Sequence, residues 1–217
     1  MLDLYLIRHA ECDKNLEPHL ISGRSSDSPP SPSGGEQASL LGQRLVSQGV
    51  SFQRVFSSPA IRCRETAVGV GQYLGYSLQN IVFSDQLLEL DQGQWEGQPR
   101  AEIYTPRMLA TINAQNWEFT PPGGESQRTV EERMVAFVQQ EIMPLHQEDA
   151  RVTCAIFGHG VAFKCFLRYV LNSSPNMTHK IVLNNTAITR LRYDHRGWHL
   201  LSVNDIGHLL TYQGEIN

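Results

Sequence analysis

The chain has little lysine: of its 217 residues three are lysine, against fifteen arginines. It also lacks a strong charge imbalance, with 18 basic and 22 acidic residues and a formal net charge of −4. That excludes the clustered positive excess of a protein built for nucleic acid or an anionic membrane, so an anionic ligand has to be gathered by a local pocket. No apolar run approaches the roughly 18 residues that cross a bilayer, so no membrane partner is expected. The four cysteines (Cys12, Cys63, Cys154 and Cys165) lack CxxC spacing, which argues against a disulfide framework and a zinc site. No charged leader precedes the first apolar segment, so the Asn-x-Ser/Thr triplets at Asn172, Asn176 and Asn184 read as chance matches. A reduced, cytoplasmic protein is expected. There is no internal repeat or low-complexity segment, and the length fits one domain over 1–217, enough to bury roughly 70% of its unfolded surface.

What the chain does have begins at once. Leu4-Tyr5-Leu6-Ile7 is an unbroken apolar run that stops at Arg8-His9. Runs of this kind are strands covered on both faces, and in open α/β sheets ligands bind beyond the carboxyl ends of the strands. The plain alternative is that Arg8 and His9 mark where the chain re-enters water. Residues 12–32 are polar and rich in Ser, Pro and Gly, a long loop over that strand end. Ser33-Gly34-Gly35-Glu36 has capping-box spacing and predicts a helix carrying Ala38, Leu41 and Leu45, ended by Gly49. A short strand over 54–57 turns through Pro59 into a second helix running to about Gly75.

Another short strand over 81–83 precedes Leu87-Leu88-Glu89-Leu90. The stretch 92–126, with a short helix predicted near 100–113, reads as an excursion covering the site, a candidate lid. A long amphipathic helix through Val130, Met134, Phe137, Ile142 and Leu145 leads to a buried strand over 152–157, then Gly158-His159-Gly160 and a further helix. Three strands near 179–183, 186–193 and 198–203 and a frayed tail close the prediction. Alternating strands and helices imply an α/β fold, a three-layer α/β/α sandwich with a mostly parallel central sheet.

Parallel strands bring their carboxyl ends together, so Arg8, His9, Arg62 and His159 converge if the sheet forms as predicted. The helix starting at Gly160 adds backbone N–H groups and the positive end of its dipole, suited to phosphate. Glu89 supplies a carboxylate, although Glu11, Asp85, Asp91 and Glu96 lie close to it in sequence. Phosphoryl transfer through histidine needs this set: a neutral imidazole to attack phosphorus, arginines for the equatorial oxygens, and an acid for the leaving oxygen. With arginines neutralising the phosphoryl group, no metal or cofactor is called for. His19, His146, His179, His195, His199 and His208 share no ligand spacing and read as surface or core histidines.

Leu6-Ile7-Arg8-His9-Ala10-Glu11 with Asn15 resembles the signature of the histidine phosphatase superfamily (phosphoglycerate mutase-like). So do Ser57-Ser58-Pro59 with Arg62 and Thr66, Glu89 with the 93–97 turn, Gly158-His159-Gly160, and Ser22-Gly23-Arg24 with Asp27. The resemblance implies His9 as nucleophile and Arg8, Arg62 and His159 as the groups holding the phosphoryl, with Asn15 assisting. It implies Glu89 as acid and then base, Gly160 and Val161 amides completing a phosphate cup, and Ser22 and Gly23 lining the substrate side. Ala10 stands where the family usually has glycine, and Cys12 where it has threonine. Mutases of the family carry a longer, very basic insertion after the acid; here 97–120 offers only Arg100 and Arg107 as cations. The expectation is therefore a phosphomonoester hydrolase acting on a small phosphorylated substrate, with a mutase as the alternative and a silent phosphate-binding module behind both. The C-terminal strands fit either a dimer edge or the end of the sheet, so the oligomeric state is left open.

Overall fold

The computed structural model describes residues 1–210. In chain order the elements are β1 (Leu2–Arg8), α1 (Pro32–Ser47), β2 (Arg54–Ser57), α2 (Ile61–Leu74) and β3 (Ile81–Phe83). Then come α3 (Arg100–Ile103), α4 (Pro106–Gln115), α5 (Gln127–Phe137), β4 (Val152–Gly158), α6 (Gly160–Val170), β5 (Ile188–Asp194) and β6 (Gly197–Asp205). The sheet has six strands in the order β3-β2-β4-β1-β5-β6. The first four are mutually parallel, and β5 and β6 add antiparallel pairs at one side.

The apolar run of β1 is continuous because successive side chains enter different layers and both layers are dry. Leu2, Leu4 and Leu6 pack with Val130, Met134 and Phe137 of α5 and Phe163 and Phe166 of α6. Tyr5 and Ile7 pack on the other face with Leu41 and Leu45 of α1 and Ala67 and Val70 of α2. Each buried Leu, Ile, Val, Phe or Met side chain among them contributes about 1.5–3 kcal/mol on full burial. Asp3 is the exception in β1: it is buried, and Arg151 and Arg192 both donate to its carboxylate.

The local structure departs from the sequence reading in several places. The cap of α1 is Ser31, whose Oγ accepts from Gly34 N at 3.0 Å, with Pro32 as first helical residue; Ser33 lies inside the helix. Beyond Phe137 the long amphipathic helix loosens into a π-turn over Val138–Ile142 and a 3₁₀ turn over Met143–Leu145. The excursion at 92–126 holds two helices, α3 and α4, broken between Tyr104 and Thr105, where Thr105 caps α4. The stretch 179–183 is no strand: a 3₁₀ turn covers Pro175–Lys180, and β5 already takes the open edge of β1. Of the expected tail, Gly207–Leu209 forms a 3₁₀ turn that buries His208 and Leu209; the rest, from 211 on, lies outside the described residues.

Candidate active site

β1 and β4 lie in register with Arg8 opposite Gly158, so the residues after them, His9 and His159, leave neighbouring strands side by side. Their ring centroids are 5.3 Å apart. The end of β1 is held from two sides. His9 N donates to Gly158 O at 2.9 Å, while Asn185 Nδ2 donates to His9 O at 2.9 Å and Thr186 N to Arg8 O at 3.1 Å. His9 Nδ1 lies 2.7 Å from Ala10 O. A carbonyl only accepts, so Nδ1 carries the proton and Nε2 presents its lone pair. Ala10 is fully buried, takes a negative φ, and donates to Thr66 Oγ1 at 2.9 Å. The backbone at this position makes no demand that only glycine meets.

Arg62, one residue into α2, is 3% exposed and spreads its guanidinium over three acceptors. It reaches Ser25 O at 2.6 Å, Arg24 O at 2.8 Å and His159 Nδ1 at 3.1 Å. Guanidinium only donates, so His159 Nδ1 accepts and Nε2–H points to Ser58 Oγ, 2.8 Å away. Burial, and after it the charge of Arg62, holds both imidazoles well below the ordinary 6.5. His9 is therefore neutral at physiological pH, the state a nucleophile needs. Cys63 Sγ lies 3.4 Å from His159 Nε2, and burial pushes this thiol up to about 12, which leaves it unreactive.

Glu89 follows β3 in a loop and meets the start of α6. Its Oε1 accepts from Leu90 N at 2.9 Å and Ala162 N at 3.0 Å, and its Oε2 from Val161 N at 3.0 Å. The free amides and positive end of α6 thus hold a protein carboxylate. The Val161 amide, expected in a phosphate cup, is already committed. Gly160 sits between the two charges: a Cβ there would be 3.7 Å from Arg8 Nε and 4.0 Å from Glu89 Oε2. Behind Glu89, Arg24 and Arg133 each donate to its carbonyl at 3.2 Å and converge on the Glu125 carboxylate. Burial works to raise the pKa of Glu125, but Arg133 and Arg24 outweigh it and keep the carboxylate below its usual range.

These groups open into one cavity of about 590 Å³. Arg8, His9, Arg62, Glu89, Asn15, Ser22 and Gly23 line it; His159 does not, being fully buried behind Arg62. Asn15 Oδ1 accepts from Cys12 N and Asn185 Nδ2, which turns its own amide nitrogen away from them. Gly23 has φ +53°, and a Cβ there would meet Glu96 Oε1 at 2.1 Å. The same carboxylate accepts from Arg24 N at 2.7 Å, fixing the turn that presents Ser22. The far wall is apolar, made by Trp95, Tyr104, Leu109, Ile112 and Phe119, with Trp95 stacked on Phe119 at 5.5 Å. Of the two lid arginines, only Arg100 reaches the lining.

The sequence reading left out Asn185, Thr186, Glu125 and Arg133, and gave Arg24 no role. Nothing local marks them, because each acts on a strand end or loop far away in the chain. His179, read as a plain histidine, lines the cavity. Among the described residues no group of three or more His, Cys, Asp or Glu side chains is placed to hold a metal ion, and no helix is long and apolar enough to cross a membrane.

The family model of the histidine phosphatase superfamily (branch 1) matches residues 4–206. A Proteus mirabilis protein named "Probable phosphoglycerate mutase GpmB" is 30% identical, the match covering 96% of this chain and 95% of that one. Among solved structures, Bacillus stearothermophilus YhfR superposes with a TM-score of 0.82 at 25% identity, over 96% of this chain and all of that one. A phosphoserine phosphatase from Entamoeba histolytica, solved with 3-phosphoglyceric acid, gives 0.80 at 26% identity, over 97% of this chain and all of that one.

Proposed function

This chain belongs to the histidine phosphatase superfamily, and from that premise we propose that it is a phosphomonoester hydrolase working through a phosphohistidine on His9. The observation that carries the reading is the orientation of His9: Nδ1–H is tied to Ala10 O, which leaves the Nε2 lone pair at a cavity also lined by Arg8, Arg62 and Glu89. In the first half-reaction Nε2 attacks phosphorus; the N–P bond forms as the ester P–O bond breaks, and Glu89 gives a proton to the leaving oxygen. Arg8 and Arg62 take up the charge of the equatorial oxygens, with Asn15 beside them. His159 acts from behind, holding the Arg62 guanidinium. In the second half-reaction Glu89 accepts a proton from water, the water oxygen bonds to phosphorus, the N–P bond breaks, and inorganic phosphate leaves with His9 neutral again.

The lid supports hydrolysis over mutation. A mutase must grip the carboxylate and second phosphate of its acceptor, whereas the far wall of this cavity is built from Trp95, Tyr104, Leu109, Ile112 and Phe119, and beyond Arg8, His9 and Arg62 its basic lining is limited to Lys14, Arg100 and His179. We read the substrate as a small phosphomonoester whose leaving group has apolar surface, in a cytoplasmic setting that keeps the four buried cysteines reduced. The mutase reading rests on the name of the 30%-identical Proteus mirabilis relative. The test is phosphate release from p-nitrophenyl phosphate and a panel of monoesters, in EDTA. Hydrolysis that is lost in His9→Ala supports the phosphatase. Interconversion of 2- and 3-phosphoglycerate faster than any hydrolysis would instead establish the mutase.

A further inference from the structure

A second cavity, of about 480 Å³, opens on the α1 side of the sheet toward the start of the parallel strands and shares no lining residue with the first. It is polar, and three arginines from three parts of the chain face it: Arg44 of α1, Arg151 before β4 and Arg190 of β5. Asp205 is the one acid in the lining. Their commitments differ. Arg44 is spent on Asp205, in a two-pronged pair at 2.9 and 2.6 Å. Arg151 is 56% exposed and pairs with Asp3, which keeps Arg192 at 2.7 Å if Arg151 moves away.

Arg190 is the unusual member. Its guanidinium lies over the Tyr5 ring, 5.1 Å from the centroid, and its Nε is buried with no hydrogen-bond partner. Among the described residues its guanidinium makes no ion pair and no hydrogen bond. A planar fork held by an aromatic face, with no carboxylate paired to it among the described residues, is prepared for an oxyanion. Stacking on Tyr5 also limits the rotamer entropy lost when a ligand binds. The cavity falls in the size range of small-molecule sites. Around the arginines, Ser51 and the end of α1 at Gln48 and Gly49 offer acceptors for hydroxyl groups on the same ligand.

We infer that this cleft is a second ligand site, separate from the phosphoryl-transfer centre, which binds a small hydroxylated oxyanion between Arg190 and Arg151. Carboxylates and phosphorus oxyanions share this chemistry, and the probes separate them. Citrate and methylenediphosphonate are titrated into ¹⁵N-labelled full-length protein, wild type, Arg190→Gln and Arg151→Gln, followed by amide chemical shifts. The expected result is saturable shifts at Gly49, Ser51 and Thr153, with an affinity at least about tenfold weaker in each variant. Whichever probe binds more tightly identifies the class of oxyanion. Because Arg151 is largely exposed, its variant reads binding even if Arg190→Gln perturbs packing on Tyr5. Shifts confined to residues around His9 and Arg62, a non-saturating drift with ionic strength, or equal affinity in wild type and both variants would overturn the inference.

Discussion

His208 links acid stability to the end of β1. It is 8% exposed, and its Nε2 lies 2.9 Å from Thr186 Oγ1. The Thr186 hydroxyl donates to Asn185 O at 2.8 Å, so the imidazole donates through Nε2 and its Nδ1 is a bare acceptor, buried without a partner. Protonating Nδ1 would bury a charge near Arg44. Burial, and then Arg44, lowers the pKa from 6.5 to about 4. The unfolded chain therefore binds the proton first as pH falls, and stability rises with pH between these values. The gap of about 2.5 units, at about 1.4 kcal/mol each, integrates to about 3 kcal/mol of unfolding free energy lost from this residue by pH 4, and about 2 by pH 5. His9 and His159 add losses of the same sign. His208→Gln keeps a donor toward Thr186 and cannot titrate. Urea unfolding of both proteins at intervals from pH 7.5 to 4 isolates the contribution, and the variant should fall about 3 kcal/mol less than wild type. Parallel curves, within about 1 kcal/mol, would refute the argument. Since Thr186 N also donates to Arg8 O, acid loosening at His208 should reach the strand that leads to His9 before global unfolding.

Glu89→Gln keeps the shape of the proposed acid but gives up the proton transfer, and kcat/KM for alkyl phosphates, which reports the formation of the phosphoenzyme, should fall about 10²–10⁴-fold. For p-nitrophenyl phosphate, whose leaving oxygen needs no proton, kcat/KM should lose much less; equal losses of kcat/KM on both would remove Glu89 from the acid role. Gly23→Ala forces a side chain into a left-handed position against Glu96, costing about 1–2 kcal/mol for the backbone alone. Thermal unfolding should register that loss together with a raised KM, because Arg24 O, one residue on, holds Arg62. Leu109→Gln removes apolar surface from an exposed lid residue on the cavity wall without adding charge. KM for aryl phosphates should rise about tenfold with kcat little changed, while glycerol phosphate is unaffected; a uniform change on both would mean that the lid wall does not contact the leaving group.

The central strands were legible because two dry layers erase alternation: β1 and β4 read as apolar runs, and the charged residues after them mark the rim. The helices α1 and α2 were legible from periodicity and from glycines that end them, such as Gly75 at φ +77°. Capping was read less well, since Ser31 and Ser33 are equivalent locally and only Pro32 at the first helical position decides between them. The stretch 179–183 has strand-like composition, but β5 already occupies the open side of β1, a fact of topology that no window of sequence contains. The site divides in the same way. His9, Arg62 and His159 each stand where a strand gives way to a loop or helix. Glu125 and Arg133 act through the backbone of Glu89, about 40 residues earlier, and Asn185 and Thr186 through the carbonyls of His9 and Arg8, more than 170 residues earlier. The commitment of the Val161 amide to Glu89 was also hidden, because a helix start favours any anion and sequence alone does not say which one occupies it.

The central claim is that His9 Nε2 takes the phosphoryl group. The direct measurement is to mix enzyme with p-nitrophenyl phosphate, quench in alkali within the first turnovers, and map any added phosphoryl by mass spectrometry. The account predicts an acid-labile, alkali-stable phosphoryl group on His9 in wild type, more of it in Glu89→Gln if dephosphorylation becomes limiting, and none in His9→Ala. Hydrolysis at an undiminished rate in His9→Ala, or a phosphoryl group trapped on another residue while His9 stays free, would contradict it.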